Sequence, residues 1–346
     1  MPMKTLAALL LGAASILPGA SAFAQEVKQL NVIMPLPRSA NFYPLIAGEA
    51  LGYFEEEGVS VNLLPSSTAI PFIAFVQNGQ ADIAMLDAPQ TFQAAQSGAD
   101  FKIVYEVMQR APEGIFVSAE SPYKDVAELK GTTVGLVADR DRTTLTIALD
   151  ARGASIDDVT TVVVGEAGPT LAAAVRDNTV SAISGAVPDW LSMQAAGLKI
   201  RTITPEEVSV QPANSFAVSG SRMEELKEPL EGFFRAWSKG MIAADYDPDA
   251  VAAMTKAAVP EEWASDEFGR AFFDASVPMN RSQTERLGDL QAQVWKDVQP
   301  PMIKVGAIDG EVDPSTFLDD RFIGPANDFD REKVKADVAA WKEANM

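Results

Sequence analysis

Val76-Gln77-Asn78-Gly79-Gln80-Ala81-Asp82-Ile83-Ala84-Met85-Leu86-Asp87-Ala88-Pro89 decides the fold. In order, it holds the apolar end of a helix, a glycine that stops it, a short apolar strand and an acid–proline opening to a new helix. A related stretch lies about 99 residues further on. There Val175-Arg176-Asp177 stands for Val76-Gln77-Asn78, and Val187-Pro188 for Ala88-Pro89. Gly197 matches Gly98, and Arg201 matches Lys102. Proline openings and glycine stops recur in any α/β chain, so caps alone reproduce half of these matches. With either origin, the pattern gives two α/β lobes of similar build.

Strand, loop and helix alternate outward from this pair. Leu30 to Met34 reads as a strand, followed by a helix with Ile46, Ala47, Ala50, Leu51 and Phe54 on one face, stopped at Gly58. Val59, Val61 and Leu63 alternate as the next strand, and Lys102 to Met108 is another. A second unit runs from the strand Ile115 to Val117 to the strand Leu198 to Ile203. After one more strand, Phe216 to Val218, the chain turns helical, with helices over Ala250 to Ala258, Phe268 to Ala275 and Leu287 to Val298. In this tail Leu226, Leu230, Phe233, Phe234 and Trp237 form one apolar stripe. Crossings between lobes are expected near Arg110 to Gly114 and Gln211 to Ser215, each with a proline. Lobe one is then 25–112 with 214–346, and lobe two is 113–213.

Composition narrows the chemistry. The 346 residues are 47% hydrophobic and 22% charged, a globular mix. There is no Cys and no His, which excludes disulfides, thiolate nucleophiles, Ser-His-Asp triads and His- or Cys-ligated metals. Asp and Glu number 48 against 28 Lys and Arg, a net charge of −20 that repels nucleic acid. Asp245-Tyr246-Asp247-Pro248-Asp249 resembles part of a calcium loop but lacks its glycine and distal glutamate, so a helix cap explains it better. Neither a metal nor a cofactor is expected. The first 24 residues carry Lys4, an apolar run from Leu6 to Leu17 and Ala22-Phe23-Ala24, which together read as a cleaved secretory signal. That run is too short to span a bilayer, so the expected location is the periplasm.

Three motifs carry a family resemblance. Tyr43-Pro44-Leu45-Ile46-Ala47 leads into Gly52-Tyr53-Phe54 and Gly58-Val59; Asn78-Gly79-Gln80-Ala81-Asp82-Ile83-Ala84 follows; then Val126-Ala127-Glu128-Leu129-Lys130-Gly131 precedes Val134-Gly135. In order and spacing this set resembles the substrate-binding proteins of ABC transporters, in the nitrate, sulfonate, taurine and thiamine-pyrimidine group. The resemblance implies a two-lobe periplasmic-binding-protein fold of type II, with the helical extension packed on lobe one. It also implies a small-molecule ligand, delivery to the membrane subunits of an ABC permease, and a monomer. Two places depart from the family: Asn178-Thr179-Val180-Ser181-Ala182 lacks its second glycine motif, and Ala138 to Thr144 replaces its Gly/Ser-rich turn. Ligand identity therefore does not carry over.

Ligands of open α/β sheets sit beyond the carboxyl ends of the strands. The loops there nominate Arg38, Asn41, Phe42 and Tyr43 after the first strand, Ser66, Ser67 and Thr68 after the second, and Asp87 after the third. In lobe two they nominate Arg140, Thr143, Glu166, Asp189 and Trp190, with Arg110 and Gln109 at the crossing. Arg38 and Arg110 suit a sulfonate or carboxylate, and the acids suit an amine or aminopyrimidine. The first reading is a solute-binding protein without catalysis. The alternatives are a heteroaromatic binder, a carboxylate enzyme using Asp87 and Glu166, and a sensor partner of a membrane kinase.

Overall fold

The computed structural model describes residues 27–36, 38–65, 71–263 and 265–346. The expected signal segment and Ser66-Ser67-Thr68 lie outside the described residues. Two five-stranded sheets organise the chain. The first contains β1 (Lys28–Ile33), β2 (Val59–Leu63), β3 (Ile83–Leu86), β4 (Lys102–Arg110) and β10 (Val210–Val218), in the order β2-β1-β3-β10-β4. The second contains β5 (Glu113–Ser118), β6 (Thr133–Leu136), β7 (Thr160–Val163), β8 (Ala182–Ala186) and β9 (Ile200–Thr202), in the order β7-β6-β8-β5-β9. In each sheet four strands point the same way, and one, β10 or β5, runs antiparallel between its two neighbours.

The helices of the first lobe are α1 (Tyr43–Ala50), α2 (Tyr53–Glu56), α3 (Phe72–Gln77) and α4 (Ala88–Gln96). Those of the second are α5 (Asp141–Ala151), α6 (Gly168–Arg176), α7 (Val187–Ala195) and α8 (Glu206–Ser209). The offset seen in the sequence falls on equivalent parts: β3–α4 and β8–α7 occupy the same place in their sheets. One expectation changes here. The single helix through Phe54 is two, because Gly52 takes φ 75° and turns the chain between α1 and α2.

The crossings are short. Two residues separate β4 from β5, and the N–H of Ala111 donates to the Ser209 carbonyl at 2.8 Å. The stretch 211–215, expected to cross between lobes, lies within β10, which starts at Val210 opposite Arg110. Its pairing with β4 extends the strand beyond the apolar run Phe216 to Val218 that sequence reading detects, so 210–213 belong with the first sheet. Arg110 spans this crossing with an ion pair to Glu206 at 2.8 Å.

The tail comprises α9 (Lys227–Tyr246), α10 (Pro248–Ala258), α11 (Asp266–Met279), α12 (Ala292–Asp297), α13 (Gln299–Lys304), α14 (Ile323–Ala326) and α15 (Arg331–Asn345). None of the described helices is long and apolar enough to cross a membrane. The stripe of α9 buries Leu230, Phe233, Phe234 and Trp237 against the first sheet, with Trp237 edge-on to Phe216 at 4.8 Å. Asp247 caps α10, accepting from the Ala250 N–H at 2.9 Å.

The helix expected from Leu287 begins at Ala292. The residues before it form a strap over β4 instead. Gln109 accepts from the Gln283 N–H at 2.6 Å and donates to the Asp289 carbonyl at 2.8 Å. Gly288, at φ 72°, lies against the Tyr105 ring, where a Cβ has no room. Glu106, 2% exposed, accepts from the Gln291 N–H and from Trp295 Nε1 at 2.9 and 2.7 Å. Burial pushes its carboxyl up to about 7 despite these donors. The tail also touches lobe two on both flanks: α11 packs on α7, and α13 lies against α5, where Lys304 pairs with Asp150.

Candidate functional site

The carboxyl ends of β1 and β3 in one lobe and of β6, β7 and β8 in the other lead into helix N-termini. Such ends offer unpaired N–H groups and positive partial charge. This chain covers several of them with its own acids. Asp87 caps α4, its Oδ1 accepting from the Gln90 N–H at 2.8 Å. Asp189, in the first turn of α7, reaches back to the Ala186 N–H at 2.8 Å. Asp141, at the start of α5, accepts from the Ala138 N–H at 2.7 Å, and its backbone carbonyl accepts from Ser184 Oγ at 2.9 Å. By contrast, α6 has Ala167 at its N-cap and so no side-chain cap.

Between these ends stands Glu113, the first residue of β5, paired with Ala186 in β8. Its carboxyl feels Asp87 from one lobe and Asp141 and Arg140 from the other. Solvent still reaches it, but the walls on either side strip much of its hydration, and that loss, more than the neighbouring charges, pushes it up to about 7. Burial also raises Asp87, Asp141 and Asp189. The negative charges of Asp141 and Glu166 push Asp189 the same way. Arg140 is the counter-charge, 3.6 Å from Glu166 and within electrostatic reach of Glu113, Asp141 and Asp189. Four carboxylates thus lie within reach of one guanidinium, and Asp87 faces Glu113 from the other lobe.

Of the residues nominated from sequence, Asp87, Arg140, Glu166 and Asp189 are brought together here, and Thr143 lies exposed in the first turn of α5 beside them. The others are drawn elsewhere. Arg38 is committed to Glu49 of α1, with Nη2 at 3.0 Å from Oε1 and Nη1 on the other oxygen. Asn41 is held by the tail: its carbonyl accepts from Asn280 Nδ2 at 2.9 Å and its Oδ1 from Ser276 Oγ at 3.3 Å. Phe42 and Tyr43 are core residues, because the 3₁₀ turn at Ala40–Phe42 rolls them inward; Tyr43 Oη donates to the Met241 carbonyl at 3.0 Å. Trp190, 4% exposed, stacks on Phe116 at 3.7 Å inside lobe two. Gln109 spends both ends of its amide on the strap described above.

Sequence reasoning missed Glu113 and did not single out Asp141. Glu113 follows Pro112 within the expected crossing, which was the available signal. Asp141 sits among alternating charges that read as a solvated turn, and only the backbone shows it folded inward to 5% exposure.

Known proteins resemble this chain in sequence or in fold. A riboflavin-binding protein, RibY, from Chloroflexus aurantiacus is 25% identical over 314 residues, 86% of each chain. The periplasmic aliphatic sulphonate binding protein SsuA from Escherichia coli superposes with a TM-score of 0.65 at 16% identity, covering 83% of this chain and 91% of its own. The desulfurization enzyme DSZB superposes with a TM-score of 0.60 at 15% identity, covering 86% and 98%. Residues 39–251, which include both sheets' central strands and the cleft acids, match the family model described as NMT1/THI5 like, and the chain belongs to that family.

Proposed function

We propose that the protein is an extracytoplasmic solute-binding protein that holds a small polar organic ligand between its lobes and delivers it to the membrane subunits of an ABC permease. Its location is the periplasm, reached through the signal segment read in the first 24 residues. One observation supports the reading: Asp87 of lobe one and Glu113, Arg140, Asp141, Glu166 and Asp189 of lobe two are linked electrostatically, through Glu113, where the two lobes face each other. Ligand binding then favours the arrangement in which both walls touch it, by its differential affinity for that state.

The cleft favours a two-ended ligand. Asp87, Glu113 and Asp189 suit N–H or ammonium donors, since charge-assisted hydrogen bonds are the strong ones. Arg140 and the uncapped start of α6 suit a sulfonate or carboxylate. A sulfonate as bound by SsuA, or a heteroaromatic with imide donors such as riboflavin, meets one or both ends.

The test is calorimetric titration with alkanesulfonates, aminoalkanesulfonates, aminopyrimidines and riboflavin, with the solution analysed for product afterwards. We expect saturable one-to-one binding of one class and recovery of the compound unchanged. Arg140→Ala should weaken an anion-bearing ligand about tenfold. For a ligand with an ammonium group, affinity should rise as pH passes through about 7, where Glu113 ionises. Glu113→Gln should flatten that dependence. A carboxyl poised near neutrality also suits proton transfer, and DSZB shows the fold in an enzyme. Conversion of any compound would replace the binding reading with a catalytic one.

A further inference from the structure

A cavity of about 530 Å³ lies where lobe two, the crossing strand and the tail meet, and none of the cleft acids lines it. Its walls come from three parts of the molecule. Lobe two gives Ile147 of α5 and Val208 of α8, the crossing strand β10 gives Val210, and the tail gives Val298, Pro301 and Met302. These six side chains are apolar, and the volume lies within the range of sites that enclose small organic ligands. The rim is acidic, with Asp150, Glu207 and Asp297 against Lys304 alone. Two of the acids are already matched: Asp150 by Lys304, and Glu207 by Arg152. Asp297 is not. Its Oδ1 accepts from the neutral Gln293 Nε2 at 2.8 Å, and no cation pairs with it among the described residues.

We propose that this cavity is a second ligand site, and that it takes a small molecule with an apolar body and a protonated amine. The body replaces water against the valine, proline and methionine walls. The ammonium lies at the rim beside Asp297, the acid left without a counter-charge. A carboxylate of the same shape meets net negative charge there and is rejected. The site shares no lining residue with Asp87, Glu113, Asp141, Glu166 or Asp189, so it stands or falls apart from the solute-binding reading.

The probes are 2-(1-naphthyl)ethylamine and its acid counterpart, 1-naphthaleneacetate, titrated into the full chain by fluorescence and calorimetry. The amine should bind saturably and at least tenfold more tightly than the acid. Met302→Trp and Ile147→Trp, which add bulk to the cavity from the tail and from lobe two, should each weaken the amine at least tenfold. Asp297→Asn, an exposed change that spares folding, should remove most of the preference for amine over acid. Glu113→Gln should leave the amine's affinity unchanged. Equal binding of amine and acid, no saturation at millimolar amine, or affinity lost in Glu113→Gln but kept in Asp297→Asn would overturn the proposal.

Discussion

Glu57→Ala is expected to cost about 3–5 kcal/mol of folding stability, the range for breaking a buried pair from one side. Glu57 lies just before β2 and faces α9. Its Oε1 accepts from Lys239 Nζ and its Oε2 from Arg235 Nη1, both at 2.6 Å. Lys239 is 6% exposed, and its ammonium also lies 5.3 Å from the centre of the Tyr53 ring. Without the carboxylate, two cations stay in a place where water reaches them poorly. Arg235 retains the Pro325 carbonyl at 3.0 Å; Lys239 retains little beyond the ring and the more distant Glu56 at 3.8 Å. Urea unfolding measures the loss. Lys239→Met in the Glu57→Ala background should recover part of it, because the stranded charge is then gone. A loss below about 1 kcal/mol would mean that the pair behaves as a solvated surface bridge.

Gly240→Val should cost about 3 kcal/mol, the upper end for forcing bulk into a packed interior. On α9, Gly232, Ala236 and Gly240 recur every four residues and so share one face. That face lets α9 approach α1 and α2 closely. A Cβ on Gly240 would overlap the Pro44 carbonyl oxygen and stand 3.0 Å from the Gly48 amide. Both are backbone atoms, so no flexible side chain can yield. Gly232 is in the same position, with the Glu57 carbonyl 2.7 Å from where its Cβ would be. Removing a helical glycine normally gains up to about 1 kcal/mol, and here the contact outweighs it. Thermal unfolding of Gly240→Ala and Gly240→Val should show a graded loss. A stabilised Gly240→Ala would show that the helices lie further apart than described.

The two sheets were legible because apolar strands, glycine stops and proline openings are local signals. The 99-residue offset adds information because β3–α4 and β8–α7 are equivalent in the two lobes. The same locality explains the misses. Nothing next to Arg38 in sequence points to Glu49, which meets it only once α1 is wound. Phe42, Tyr43 and Trp190 were assigned to the cleft by their loops, yet a 3₁₀ turn and the packing of α7 on Phe116 take them inward. The last part of the strap, from Leu287, reads as the start of a helix, because its true partners Glu106 and Gln109 lie on a distant strand. Glu113 acquires its shifted carboxyl only when the lobes face each other.

The most direct measurement is the radius of gyration by small-angle scattering as the purified chain is titrated with alkanesulfonates, aminopyrimidines or riboflavin. A compound that binds should draw the lobes together, lower the radius saturably at the calorimetric midpoint, and be recovered intact. Binding that leaves the radius unchanged for every compound would contradict a trap formed by two lobes around a shared cleft.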